Sequence, residues 1–355
     1  MFVTCQVGAE KAVKDELARR WPDFRGAFSR PGFLTFKLPD GFHLPGNFDL
    51  DSVFARAWGF SLGKVEETAQ SEKTGRQGDK ETGRQGDKEC VAISLAPCLP
   101  LSLSPPLPVS LSPFRSAALA RAVWDRFGDR PATRIHAWER DRFEPGEHRF
   151  EPSITPAAVE AYEALRRTCP SPQALAGGNH LAQPARIGDW VLDCAVVDPG
   201  QWWIGYHRAR SVPTRWPGGL MPLALPPDAV SRAWLKMEEA LRWSELPIPK
   251  RARCAEIGSA PGGASQALLA RGLEVLGIDP AEMDPAVLGH PRFRHIRRRA
   301  ADVPRREFRK IRWLTADMNV APSYTLDVVE SIVMHPEASV RGLLLTLKLL
   351  EWTLA

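Results

Sequence analysis

The chain has few cysteines, and they form none of the common cysteine patterns. Its 6 cysteines are scattered along 355 residues, with no Cys-x-x-Cys pair and no histidine at zinc-site spacing. This argues against a disulfide framework and a zinc site, so we expect reduced thiols. A signal peptide is also missing, as is an apolar run of about 18 residues, the length that a membrane-spanning helix needs. We therefore expect a cytoplasmic protein with no membrane span.

A large excess of one charge is missing too, because the net charge is only +5. The basic residues are nevertheless concentrated between Pro291 and Trp313, where nine arginines and one lysine stand against Asp302 and Glu307. Such a block can follow the phosphates of a nucleic acid. A solvated surface of an arginine-rich protein would have the same composition, so both interpretations stay open.

The glycine-rich turn at residues 258–263 is the most informative part of the sequence. An apolar stretch at 254–257 precedes it, a helical pattern at 264–271 follows, and a second apolar strand then ends at Asp279. This order predicts a βαβ unit in which a ligand approaches the backbone at the end of the first strand. The Asp279 carboxylate can accept both hydroxyls of a ribose, so we expect a nucleoside cofactor.

The turn lacks the G-x-G-x-x-G pattern of dinucleotide-binding proteins. Three other residues separate Gly258 from Gly262 and Gly263, and Pro261 is one of them. The second glycine, which admits a pyrophosphate, is therefore absent, although Asp279 has the expected spacing for the acidic residue. The pattern favours a ligand without phosphates over a nicotinamide or flavin dinucleotide. A glycine-rich turn that binds nothing is the remaining alternative.

Four segments of the chain, in the right order, resemble the motifs of the FtsJ-type ribose 2′-O-methyltransferases. They are residues 231–240, 256–266, 316–322 and 343–349. Within that family the chain is most similar to the RlmM-like branch, which has an N-terminal THUMP-like region and methylates a cytidine ribose in 23S ribosomal RNA. The resemblance implies a Rossmann-like class I methyltransferase domain, S-adenosyl-L-methionine as cofactor and ribosomal RNA as partner.

The resemblance also implies roles for individual residues. The catalytic candidates are Lys236, Asp317 and Lys348, which match the family's two lysines and its aspartate. Asp302 matches a position near the adenine. The full set of implied cofactor-binding residues is Glu256, Gly258, Ser259, Ala260, Pro261, Gly262, Gly263, Asp279, Asp302 and Asp317.

The three catalytic candidates suit methyl transfer to a ribose hydroxyl, which must lose its proton as the methyl group arrives. A lysine can accept that proton if burial and a second cation lower its pKa. Lys348 lies in the apolar run 343–350, where an unpaired lysine is costly. Lys236 would be the neighbouring cation and Asp317 would balance both, with no metal required. Without the resemblance, Lys236 reads equally well as an exposed helix lysine and Asp317 as a cap or turn residue.

The sequence contains only five of the seven strands expected for such a sheet. We place them at 253–257, 274–278, 293–297, 312–316 and 342–347. The family's last catalytic glutamate belongs to a later strand, and Glu351 is too close to Lys348 to replace it. We therefore expect a C-terminally truncated domain with an apolar edge strand. The alternative to an active enzyme is then an inactive RNA-binding remnant. A base or protein methyltransferase fits less well, because Asp317-Met-Asn-Val is not a base-methylase motif.

An α+β region precedes the methyltransferase domain. Residues 68–113 within it hold a direct repeat of TGRQGDKE and a Ser/Pro/Leu-rich segment, which predict a disordered insertion. Trp202, Trp203 and Tyr206 lie in a predicted hairpin and belong either to a base-stacking surface or to the core. The predicted divisions are a ferredoxin-like domain in two parts (1–67 and 114–140), the insertion (68–113), a THUMP-like or linker region (141–225) and the methyltransferase domain (226–355).

Overall fold

The computed structural model describes residues 1–42, 48–67, 113–144, 147–150, 152–175, 181 and 183–347. Its strands form a sheet of seven strands in the N-terminal part and a sheet of five strands in the C-terminal part. Almost all of the predicted insertion at 68–113 lies outside the described residues, and so does Lys348. No helix within these ranges has both the length and the apolar character needed to cross a bilayer.

The first half of the seven-stranded sheet is built from residues 2–66. It contains β1 (Phe2–Cys5), α1 (Glu10–Arg20), β2 (Arg25–Arg30), β3 (Phe33–Lys37) and β4 (Ala55–Glu66). The strands are antiparallel in the order β2-β3-β1-β4, which is the order of a ferredoxin-like sheet. Helix α1 buries Val13 and Leu17 against the sheet, because these two apolar residues share one helix face.

The second half of this sheet carries two helices on one face. It contains α2 (Pro113–Phe127), β5 (Arg134–Glu139), α3 (Pro156–Arg167), β6 (Trp190–Asp198) and β7 (Gln201–Arg208), with the strands in the order β4-β7-β6-β5. The predicted hairpin is confirmed as β6 and β7. Trp202 is fully buried against the helices, and Trp203 stacks on Phe28 with 5.1 Å between ring centroids. Both tryptophans therefore pack within the protein instead of presenting a base-stacking surface.

The prediction that residues 114–140 complete the first ferredoxin-like sheet is wrong. Strand β5 pairs with β6 at the far edge, and β4 takes the place beside β1. Strand β4 is 12 residues long and also pairs with β7, so it joins the two halves into one sheet. This strand is hard to predict from the sequence because it contains glycines, which weaken a strand pattern. Gly59 is needed because a Cβ there would lie 2.6 Å from the Phe2 ring.

The five-stranded sheet confirms the five predicted strands of the C-terminal domain. Its elements are α4 (Ala233–Ser244), β8 (Arg253–Ile257), α5 (Gly263–Ala270), β9 (Glu274–Ile278), α6 (Pro285–Leu288), β10 (Phe293–Ile296), β11 (Trp313–Ala316), α7 (Pro322–Val333) and β12 (Gly342–Leu345). All neighbouring strands are parallel, in the Rossmann-like order β10-β9-β8-β11-β12. The order reverses between β8 and β11, and ligands of such sheets bind at the carboxyl ends of the strands there.

A buried ion pair lies on the face of the seven-stranded sheet opposite α2 and α3. Nδ1 of His207 is 2.6 Å from Oδ2 of Asp193, and its Nε2 is 2.7 Å from the Thr214 carbonyl oxygen. Burial alone would lower the pKa of His207, but the Asp193 carboxylate and the Thr214 carbonyl raise it above its usual value. The imidazolium therefore links β6, β7 and the chain after β7.

We expect Asp193→Ala to lower the free energy of unfolding by about 3–5 kcal/mol, because it leaves a buried cation without its partner. The matched control is Asp198→Ala, since the Asp198 side chain is 43% exposed in its pair with Arg140. That change should cost at most about 1 kcal/mol. Urea denaturation followed by tryptophan fluorescence measures both. Equal effects from the two variants would contradict the prediction.

Candidate active site

The glycine-rich turn lies at the carboxyl end of β8, where the strand order reverses. Gly258 and Gly262 have φ angles of +80° and +126°, which favour glycine. A Cβ on Gly258 would lie 2.7 Å from the Asp317 carbonyl oxygen, and one on Gly263 would lie 2.2 Å from the Ser231 hydroxyl oxygen. The motif therefore corresponds to a backbone that packs directly against the end of β11 and the segment before α4.

Asp279 fastens this turn to the end of β9. Its Oδ2 accepts a hydrogen bond from the Ala260 amide at 3.1 Å, and its Oδ1 accepts one from the Ala281 amide at 2.8 Å. Ser259 is buried, with its hydroxyl donating to the Met283 sulfur at 3.5 Å, so it also supports the turn. Carboxylate oxygens have further lone pairs, so Asp279 keeps capacity for ligand hydroxyls.

Lys236 and Asp317 come together beside the turn, although 81 residues separate them in the sequence. Nζ of Lys236 is 3.5 Å from Oδ2 of Asp317, and the side chains are 58% and 13% exposed. The Asp317 amide donates to the Ile257 carbonyl at 3.2 Å, which ties the aspartate to β8. Its Oδ1 is buried and has no hydrogen-bond partner within the described residues. An unpartnered buried carboxylate oxygen indicates a place for a ligand donor.

Glu256 lies inside the sheet, 1% exposed, instead of on the surface of the site. Burial raises its pKa to about 8, and the charges of Asp317 and Asp279 act in the same direction. A hydrogen bond from the Ser265 hydroxyl opposes this rise. Glu256 therefore supports the turn from its buried position within β8. Ser265 is not among the predicted site residues, although it lies within the segment 256–266 that resembles the family's motif.

Two other predicted residues are less closely tied to the turn. Asp302 is exposed at the end of a short 3-10 turn (Ala300–Asp302) that follows β10. Its contact with an adenine stays a prediction. Lys348 lies outside the described residues, so its position relative to Asp317 stays a prediction.

The N-terminal region reaches this site through α4. Lys236 lines a cavity of about 630 Å³ together with Arg56 of β4 and Gly219 of the linker. Nearby, an Arg215 guanidinium nitrogen donates to the Glu245 carboxylate at 2.8 Å. The N-terminal and the C-terminal parts of the chain therefore both line this cavity. The sequence did not predict that Arg56 would lie there.

Only one cluster of three metal-ligating side chains occurs in the described ranges, and it lies in the N-terminal sheet. It consists of His136, Asp193 and His207. Two of its ligand atoms, Nδ1 of His207 and Oδ2 of Asp193, are 2.6 Å apart and share a hydrogen bond. That pairing suits an ion pair better than two ligands of one cation.

The parallel Rossmann-like sheet, its glycine-rich turn and the adjacent Lys236–Asp317 pair together form the candidate cofactor site. Residues 229–353 match the model of the FtsJ-like methyltransferase family. This C-terminal part of the chain is therefore similar to the FtsJ-like methyltransferases.

Curated relatives agree with the family match. Three of them share the name ribosomal RNA large subunit methyltransferase M. The Shewanella sediminis protein is 28% identical over 52% of this chain and 53% of its own length. The Teredinibacter turnerae protein is 30% identical over 43% and 46%, and the Xylella fastidiosa protein 40% identical over 23% and 25%. The chain spans about half the length of the first of these relatives.

We expect the free energy of unfolding to fall as the pH rises from 4.5 to about 8, the range between the ordinary and the folded pKa of Glu256. The folded pKa of about 8 exceeds the ordinary value of 4.5. Stability from this group is therefore complete below pH 4.5 and is lost, at about 1.4 kcal/mol per pH unit, up to pH 8.

Glu256→Gln should remove this dependence, so the variant should gain on the wild type between pH 6 and pH 8 by about 2–3 kcal/mol. Glu282→Gln is the control, because the Glu282 side chain is 80% exposed. Urea denaturation at several pH values measures the difference. Parallel pH profiles for Glu256→Gln and the wild type would show that the buried carboxyl is not protonated.

Proposed function

We propose that the chain acts as an S-adenosylmethionine-dependent ribose 2′-O-methyltransferase on RNA, with 23S ribosomal RNA as the substrate. The observation that carries the proposal is the Lys236–Asp317 pair at the strand reversal, where one buried Asp317 oxygen has no hydrogen-bond partner in the described part of the chain. The relatives' shared name supports ribosomal RNA as the substrate class.

The residues around the turn fit a cofactor of this kind. The close contacts of Gly258 and Gly263 leave a narrow backbone surface with no room for side chains. Asp279 stands at the end of the next strand and can accept ribose hydroxyls, and Asp302 would lie near the adenine. S-adenosylmethionine would supply an electrophilic methyl group when bound. The surrounding carboxylates of Asp279 and Asp317 suit its positive charge.

The chain's own groups would orient the hydroxyl and take its proton. Asp317 holds the Lys236 ammonium at 3.5 Å, which leaves that cation beside the turn and exposed to substrate. The free Asp317 Oδ1 can accept a hydrogen bond from the substrate hydroxyl or from a second lysine. We assign the proton-accepting role to Lys348, whose pKa the neighbouring Lys236 charge would lower.

The cofactor assignment predicts that S-adenosylhomocysteine binds, whereas NADH does not. Asp279→Ala should weaken this binding about ten- to hundredfold, since it removes charge-assisted hydrogen bonds worth about 1.5–3 kcal/mol each. The control is Asp327→Ala, because Asp327 is exposed on α7. Isothermal titration calorimetry measures the binding of both ligands to the wild type, and of S-adenosylhomocysteine to the two variants. Tight NADH binding would contradict the cofactor assignment.

The catalytic assignment predicts that Lys236→Ala and Asp317→Ala each lower methyl transfer at least about 100-fold. Lys236→Ala should leave S-adenosylhomocysteine affinity unchanged, because Lys236 acts on the hydroxyl. Lys11→Ala, an exposed lysine on α1, is the control. The assay uses unmodified 23S ribosomal RNA transcript and methyl-labelled cofactor.

The product of that assay distinguishes the possible chemistries. Nuclease digestion and mass spectrometry should recover the label in a 2′-O-methylated nucleoside. A methylated base would move the chemistry away from the ribose. Cofactor binding and RNA binding without any label transfer would instead support the inactive RNA-binding remnant.

A further inference from the structure

The basic block of the sequence forms a cavity at the amino end of the five-stranded sheet. Its walls include Arg253 and Glu274, the first residues of β8 and β9, and Ile311, which precedes β11. The candidate active site lies at the opposite, carboxyl end of the same strands. Strands of four or five residues separate the two ends by roughly 15 Å. The cavity therefore belongs to a different surface from the reacting nucleotide.

The shape of this cavity combines an apolar floor with a cationic rim. Its volume is about 660 Å³. Val275, Leu276 and Ile311 are buried beneath it, and Phe293 is half-buried at its side. The rim carries five arginines and one lysine against two glutamates, namely Arg253, Arg292, Arg294, Arg306, Arg309 and Lys310 against Glu274 and Glu307.

Half of these cations are held by carboxylates. Arg253 pairs with Glu274 at 2.9 Å, Arg294 with Glu307 at 2.6 Å and Arg309 with Glu337 at 2.5 Å. The other half form no ion pair with a carboxylate within the part of the chain that the structure describes, and all three are exposed: Arg292, Arg306 and Lys310.

The backbone fixes the direction of the free cations. Phe308 and Ile311 are buried in the domain core, and the short 3-10 turn (Arg305–Phe308) lies between β10 and β11. Arg306 and Lys310 lie on either side of Phe308, and both are exposed at the rim. The same anchoring makes their truncation to alanine safe for the fold.

We propose that this cavity binds the phosphodiester backbone of an RNA segment away from the reacting nucleotide. The proposal deepens the proposed function, since it takes RNA as the substrate from there. Guanidinium groups match phosphate oxygens in bidentate geometry, which favours phosphates over single carboxylates. The apolar floor and Phe293 offer a surface for a base beside those phosphates. An acidic peptide would use the charges alone and leave the floor without a role.

The experiment measures binding of a fluorescein-labelled 12-nucleotide single-stranded RNA by anisotropy over a salt series. Arg306→Ala/Lys310→Ala should weaken binding at low salt by about tenfold. The slope of log K against log[salt] should become shallower by about 1.4, because each lost contact with single-stranded RNA contributes about 0.7. The matched control is Arg121→Ala/Arg167→Ala, which removes two exposed cations from α2 and α3.

Three outcomes would overturn the proposal. The first is an unchanged salt slope in Arg306→Ala/Lys310→Ala, and the second is an equal loss in the control. Competition by poly-glutamate as strong as that by RNA of equal charge would also overturn it, in favour of an acidic protein partner.

A separate measurement keeps this proposal distinct from the proposed function. S-adenosylhomocysteine affinity should be the same in the wild type and both double variants. If the cofactor does not bind at all but the salt slope still falls, the proposed function fails while the RNA-binding cavity stands. If the cofactor binds but the salt slope is unchanged, the RNA-binding cavity fails while the proposed function stands.

Discussion

The close approach of the Gly258 backbone to the Asp317 carbonyl is the constraint on which the candidate site depends. The Gly258 amide also donates to the Ile278 carbonyl at 3.0 Å, and the Asp317 amide donates to the Ile257 carbonyl at 3.2 Å. These bonds align the carboxyl ends of β8, β9 and β11 with one another. A side chain at position 258 would force β8 and β11 apart, because its Cβ would stand only 2.7 Å from the Asp317 oxygen.

Three carboxyl groups surround this turn, and each is stabilised in a different way. Glu256 is kept largely neutral at pH 7 by its raised pKa of about 8. Asp279 is satisfied by two backbone amides of the loops that it joins. Asp317 has the Lys236 ammonium on one oxygen, and its other oxygen has no hydrogen-bond partner among the residues that the structure describes. Of the three, Asp317 is therefore the group whose buried oxygen is left to interact with a ligand.

The C-terminal domain could be predicted from the sequence because its signals are local. Short apolar strands and the glycine turn stand close to Asp279, so their order alone defines the βαβ unit. The N-terminal sheet could not, because β4 depends on distant partners. Gly59 exists to make room for Phe2 and Asp193, contacts that no local pattern reveals. The same applies to Glu256, which resembles a ligand-binding acid in the sequence but is enclosed by the sheet.

The polarity of the parallel sheet separates the charges of the domain. Asp279 and Asp317 follow the carboxyl ends of β9 and β11, whereas four arginines of the block line the cavity at the amino ends, namely Arg292, Arg294, Arg306 and Arg309. Under the proposed function, RNA phosphates approaching the Asp279 and Asp317 side meet repulsion that the domain itself offsets only in part. Arg56 of β4 stands with Lys236 on the cavity beside α4 and adds positive charge there. The N-terminal sheet therefore adds to the cations that Arg232 and Lys236 already supply there, which under the proposed function would offset part of that repulsion.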